Sequence, residues 1–199
     1  MASDIQICNM ALSRVAHTQP IVSFTERSKA AELCSVFYAQ MRDLVLTSFP
    51  WPFAESVVDL ADIGSPAPGW AYRYRYPADC LKVREIIQPG QRRALTSDLQ
   101  IPFKIGYDAG GRVIHTDQPE AGVRFTFRVV DSTFFDALFT DALAWRVGME
   151  LALPLSSKPD LQQFCSNGYA QALTLAEGAA FEESQDDPEP ESEFVSVRS

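Results

Sequence analysis

The sequence predicts an α+β fold. It reads as a four-helix bundle, two helices from each end of the chain, with a small antiparallel β-sandwich or barrel inserted between the pairs and an extended C-terminal tail. Three observations lead there. Apolar residues recur at helical spacing before residue 54 and again after residue 131. Between them the period changes to short runs rich in Val, Ile, Phe and Tyr, broken by GSPAPG, QPG and DAGG. Beyond residue 183 the composition becomes that of an unstructured acidic segment. The expected parts are 1–54, an N-terminal helical pair; 55–130, a β module; 131–183, a C-terminal helical pair; and 184–199, the tail.

The first helix is expected over 3–17, with Ile5, Cys8, Leu12 and Val15 on one face and Ser3 with Gln6 as a capping box. The second, over 25–49, repeats Ala30, Leu33, Cys34, Phe37, Met41, Leu44, Val45 and Ser48 at three and four. Pro50 and Pro52 forbid its continuation. Strands are expected at 56–60, 72–76, 82–87, 101–105, 112–116 and 123–130. In the last, Phe125, Phe127 and Val129 alternate with Arg124, Thr126 and Arg128, as in a half-buried antiparallel strand. Asp108-Ala109-Gly110-Gly111 reads as a hairpin turn.

Helical period returns at Ser132, in a segment apolar nearly all round that should be buried on several sides. Leu153-Pro154-Leu155 is expected to close it, and Ser157-Lys158-Pro159-Asp160 to open the last helix. That helix carries the stripe Leu161, Phe164, Cys165, Gly168, Ala172, Leu175, Ala176 and Ala179. Neither helical pair can bury its apolar face alone, so the pairs should combine. The stretch SFPWPFA then falls where the chain leaves the bundle. Phe49, Trp51 and Phe53 are read as a joint wedged against bundle and β module, in preference to a binding groove or a catalytic wall.

At 199 residues the chain is long enough for one domain with a sizeable insertion and a hydrophobic centre. No apolar run approaches the ~20 residues a membrane span needs. The opening MASDIQICNMALSRVAH has an acid before any base and lacks a signal peptide's apolar middle, so it reads as mature structure. Cys8, Cys34, Cys80 and Cys165 are scattered without metal-ligand spacing and are expected to be reduced and buried, in a protein made in the cytoplasm. The net charge of −9 is concentrated at one end, because residues 182–193 hold seven acids and no base. Without residues 182–199, 16 bases face 19 acids, a net of −3. A body with no basic stripe argues against gripping nucleic acid, whose affinity comes mainly from Lys and Arg on phosphates.

Catalytic patterns are weak. The two histidines are His17 and His115; Cys80 with His115 is a conceivable nucleophile pair, without surrounding signs of activation. Asp131, Asp136 and Asp141 offer carboxylate pairs that helix surfaces often carry. Gly110-Gly111 lacks the helix and lysine of a phosphate loop. In GWAYRYRYP, Tyr72, Tyr74 and Tyr76 interleave with Arg73 and Arg75. That pattern suits a base-stacking platform, a strand with one aromatic and one cationic face, or arginines that pair with acids of a neighbouring copy. No catalytic residue, cofactor or metal is expected.

Several stretches together resemble a known family. These are IQICNMALSRVAHTQPIVSF, SKAAELCSVFYAQMRDLVLTSFPWPFA and GWAYRYRYPADCLKVREI. The residues that match are Ile5, Cys8, Asn9, Ala11 and Leu12; Arg42 and Asp43; Phe49, Pro50, Trp51, Phe53 and Ala54; and Tyr76, Pro77, Asp79 and Cys80. The family is that of the head-to-tail adaptors of tailed bacteriophages, also called connectors or tail tubular protein A. The resemblance covers residues 4–90 and is looser beyond.

The resemblance implies a structural virion protein of the head–tail neck, not an enzyme. Its copies would form a ring, twelve-membered in that family, beneath the portal protein. The ring would extend the DNA channel without sequence-specific binding and receive the next tail component. It further implies that the tail docks on the portal through Phe194, Val195, Val197 and Arg198, with Phe194 where the family carries a tryptophan. Two alternatives stay open: an adaptor that also hydrolyses cell-wall peptidoglycan, and a non-viral cytosolic helical binding module.

Overall fold

A computed structural model of the chain describes residues 2–91 and 99–183. It is α+β, with four helices and two three-stranded antiparallel sheets. Helix α1 (Asp4–Arg14) opens with the expected capping box: Gln6 N donates to Ser3 Oγ at 3.2 Å, and Ser3 N to Gln6 Oε1 at 2.8 Å. It buries Ile7, Cys8, Ala11 and Leu12. Helix α2 (Lys29–Ser48) starts later than its composition suggests. Ser28 caps it, and Val22 to Thr25 are tied into local turns through Glu26 Oε2 and Ser23 Oγ. Local side-chain bonding of this kind competes with helix.

The buried face of α2 is also rotated from expectation. Ala31, Tyr38, Arg42 and Leu46 join Ala30, Cys34, Met41 and Val45 inside, while Leu33 and Phe37 are only half-buried and Leu44 is exposed. Tyr38 can turn inward because its hydroxyl finds Asp4 Oδ1 at 2.9 Å.

After α2, a 3₁₀ turn at Pro52–Ala54 leads into six strands. They are β1 (Glu55–Asp59), β2 (Tyr72–Arg75), β3 (Cys80–Ile87), β4 (Phe103–Asp108), β5 (Gly111–Thr116) and β6 (Gly122–Phe127). One sheet runs β1-β6-β3 and the other β2-β5-β4. The chain changes sheet directly after β1: Ile63 N donates to Arg73 O at 2.8 Å, and Arg75 N to Ala61 O at 3.1 Å. Tyr74 and Ile114 of the second sheet meet Ile86, Val123 and Phe125 of the first in one apolar cluster. The hairpin expected at 108–111 joins β4 and β5, with Gly111 at φ 109°. Strand β6 is central and buried on both faces at Thr126, so it is less amphipathic in place than in sequence.

A second 3₁₀ turn, Ser132–Phe134, precedes α3 (Ala137–Ser156), which Asp136 caps through Phe139 N. The stop expected at Leu153-Pro154-Leu155 comes one residue later. Pro154 lies inside the last turn, and the helix ends at Ser156, followed by Ser157, which is left-handed at φ 55°. So near the end, proline removes one backbone bond without disrupting a following helix. Helix α4 (Pro159–Glu183) begins on a proline, whose missing N–H is no loss there.

Helices α1, α2 and α4 all pack on α3. Gly148 permits this closeness, since a Cβ there would lie 3.3 Å from Cys165 Sγ and 3.4 Å from Ala11 O. Of the stripe expected on α4, Cys165, Gly168, Ala172 and Ala176 are buried. Phe164 and Leu175, expected with them, are instead 54% and 64% exposed. Helix α4 takes most of its support from α3, with Tyr169 Oη reaching Ser48 Oγ at the end of α2 at 3.1 Å, too narrow a support to cover the whole stripe.

Candidate functional site

The junction between helices and sheets follows from how α2 ends. A helix leaves its last carbonyls without intrahelical partners, and here Pro50 and Pro52 remove the N–H groups that could turn back to them. A cation from the β layer takes that place. Arg84 on β3 donates through Nη2 to Phe49 O at 2.7 Å, Leu46 O at 3.3 Å and Thr47 O at 3.4 Å, and through Nε to Thr126 Oγ1 at 2.8 Å. Lys82 Nζ adds a bond to Thr47 O at 3.2 Å. Positive charge at a helix C-terminus is favourable. Burial pulls the Arg84 pKa down, and the Glu55 carboxylate opposes that shift.

The sequence-predicted joint residues lie beside this cap. Trp51 is 1% exposed, and its indole Nε1 donates to Val45 O at 2.8 Å. Its ring centroid lies 4.9 Å from Phe49, 5.1 Å from Phe139 and 6.3 Å from Phe53; Phe53 in turn lies 5.8 Å from Phe135. All three joint residues pack with the helical core, and on the sheet side Leu81 and Phe127 reach that core. The aromatic half of the junction therefore belongs to the helices, and the polar half, Arg84, to the sheet.

Other matching residues act at the same place. Asp43 accepts from Arg42 at 2.8 Å and from Arg128 Nε, just past β6, at 2.8 Å. The Arg128 backbone N–H donates to Asp79 O at 2.9 Å. Arg124 bridges Glu55 at 3.2 Å and the buried Glu85 at 2.9 Å, linking all three strands of the first sheet. Away from the junction, Asn9 clamps the 18–24 segment, accepting from Ile21 N at 2.8 Å and donating to Ile21 O at 2.9 Å.

The residues weighed for chemistry are not brought together. Cys80 is buried beside Tyr76, and burial pushes its thiol pKa up. His115, on β5, faces Gly106 and the Ala67 N–H instead. Asp131 accepts from Thr133, Asp136 caps α3 and Asp141 pairs with Arg14. Arg73 and Arg75 both turn to Asp108 of their own chain, at 4.0 and 2.9 Å. All four cysteines are free and buried. Among the described residues, no group of three or more His, Cys, Asp or Glu side chains is placed to hold a metal ion, and no helix is long and apolar enough to cross a membrane. Phe194, Val195, Val197 and Arg198 lie outside the described residues.

One concavity adjoins the joint. A groove of about 240 Å³ is lined by Phe49, Trp51, Pro52, Leu138, Ala179 and Ala180, among others, with Asp136 at its edge. Sequence reasoning missed both this groove and Arg84. The signal for Arg84 was indirect: a helix ending on prolines without glycine needs its cap from elsewhere in the chain.

Compared with models of known protein families and with curated proteins, the chain finds no match.

Proposed function

We propose that the protein is a structural head-to-tail adaptor of a bacteriophage virion, with the helices as a four-helix bundle and the two sheets as an inserted sandwich. Its copies form a ring under the portal protein, continue the DNA channel and receive the next tail component. The observation that supports this reading best is where the resemblance residues lie. Three of the four groups reach the helix–sheet junction: Arg42 with Asp43, Phe49 to Ala54, and Asp79 of the third group, whose Tyr76 and Cys80 pack between the sheets. They hold the architecture, which is what a shared assembly frame requires of them.

The weak charge of the body, −3 without residues 182–199, suits a channel wall that lets phosphate slide past. The tail, through Phe194, Val195, Val197 and Arg198, docks on the portal. Many copies doing so together supply avidity.

The test combines the protein with the portal protein of the same virus. Alone, it should sediment as a monomer; with portal, electron microscopy should show rings on portal particles, and deletion of residues 184–199 should abolish attachment to filled heads. Stable rings without portal would overturn the assembly order, and no association with portal would overturn the adaptor reading.

A further inference from the structure

The groove beside the joint has apolar walls from three directions: Phe49, Trp51 and Pro52 after α2, Ala137 and Leu138 at the start of α3, and Ala176, Ala179 and Ala180 near the end of α4. An apolar cavity of roughly 150 Å³ accepts a benzene-sized group. One of about 240 Å³ has room for a phenyl ring with an aliphatic neighbour.

The chain itself carries such a group close by. Helix α4 ends at Glu183, three residues past the lining residue Ala180. That separation is about 5 Å along the helix axis. Of the residues that follow, 184–193 read SQDDPEPESE and offer nothing apolar larger than proline; next come Phe194 and Val195. Phe194 is the sole aromatic of 184–199, and Arg198 the sole base. Ten residues lie between Glu183 and Phe194, eleven Cα-to-Cα steps. Fully extended, they span up to ~36–40 Å, ample to return to a groove whose wall is the helix they leave. A tether of that length gives an effective concentration in the millimolar range, so even weak affinity fills the site. Asp136 on the rim adds an opposite charge for Arg198.

We infer that the groove is the seat of the protein's own Phe194-Val195 segment, which folds back beside α4 with the Phe194 ring against Trp51 and the alanines of the helix. This contact does not depend on the adaptor reading. If that reading holds, a portal that takes Phe194 must draw it from the groove, so the two contacts exclude one another.

The experiment uses the intact chain and nuclear magnetic resonance. Phe194→Ala is expected to shift the amide signals of Ala137, Leu138, Ala176, Ala179 and Ala180 and the Trp51 indole N–H, and to leave α1 signals in place. Ala179→Leu, which fills the groove from within a helix, should move the signals of residues 194–197 while circular dichroism stays unchanged. Shifts that persist on dilution support the contact within one chain. Shifts that fade on dilution would assign Phe194 to a second copy and overturn it, as would groove signals indifferent to Phe194→Ala. Loss of portal binding with the groove contact intact would count against the adaptor reading alone.

Discussion

Around α3 the helices bury Trp51, Phe139, Leu143 and Leu151 completely, together with the aromatic set at the joint. Between the sheets, the described residues buried in the common cluster are Tyr74, Cys80, Ile86, Ile114, Ala121, Val123 and Phe125, and β1 stands exposed along nearly its whole length. The helical layer therefore rests on its own apolar centre. The β layer, with its smaller core, is tied to the rest of the chain by Leu81 and Phe127 against the helical core and by ions: Arg84 on the end of α2 and Arg128 on Asp43. Charged bonds of this kind fix position more than they add stability, because desolvation offsets much of their attraction. The helices are the foundation, and the junction holds the sheets in place.

Four changes test that difference, in falling order of effect. Trp51→Ala removes a fully buried ring and its hydrogen bond to Val45, and should cost ~3–5 kcal/mol in chemical denaturation. An unchanged midpoint would mean the helical centre is not the foundation. Arg84→Met keeps the aliphatic stem but removes the guanidinium's bonds to Phe49 O, Leu46 O and Thr47 O, with an expected loss of ~1.5–3 kcal/mol. Hydrogen exchange should then quicken in β3, β6 and the last turn of α2 before it does in α1. Uniform quickening through the molecule would show that the two layers are one cooperative unit.

Gly168→Ala should be felt locally. The added Cβ would stand 2.6 Å from the Trp145 ring, so α4 must shift off α3 at a cost of ~1–3 kcal/mol. Trp145 fluorescence should change while β-sheet signals do not.

The smallest effect concerns pH. The hydrogen bond from Arg75, with that from the Gly110 N–H and the nearby Arg73 charge, holds the Asp108 carboxyl below its ordinary value. A depressed folded-state pKa contributes stability that is present above the ordinary carboxylate value and lost as pH falls through the folded one. The β4–β5 turn should therefore loosen only in acid. Asp108→Asn should remove that acid-dependent step from its exchange profile; a profile identical in both proteins would show that Asp108 does not pin the turn.

What the sequence by itself determined lies within a few residues along the chain. The capping box of Ser3 and Gln6, the turn at 108–111, the short β-rich runs and the break at Pro50 and Pro52 each depend on hydrogen bonds or steric limits among near neighbours. That Phe49, Trp51 and Phe53 pack at the end of α2 was legible for a similar reason: aromatics set around two prolines after an amphipathic helix have little alternative.

Tertiary structure alone decided which of two adjacent apolar stripes on α2 turns inward, since Tyr38 needed Asp4 from another helix to satisfy its hydroxyl. It also decided that Phe164 and Leu175 stay outside, because periodicity announces an apolar face without announcing whether anything covers it. Arg84 carries no local signal in the sequence; its role exists only because β3 comes to rest against the open end of α2, 35 positions from Phe49 in the chain. Local patterns set the elements. The partners of each element were chosen by packing, where one helix end without a cap and one cation without a place complete each other.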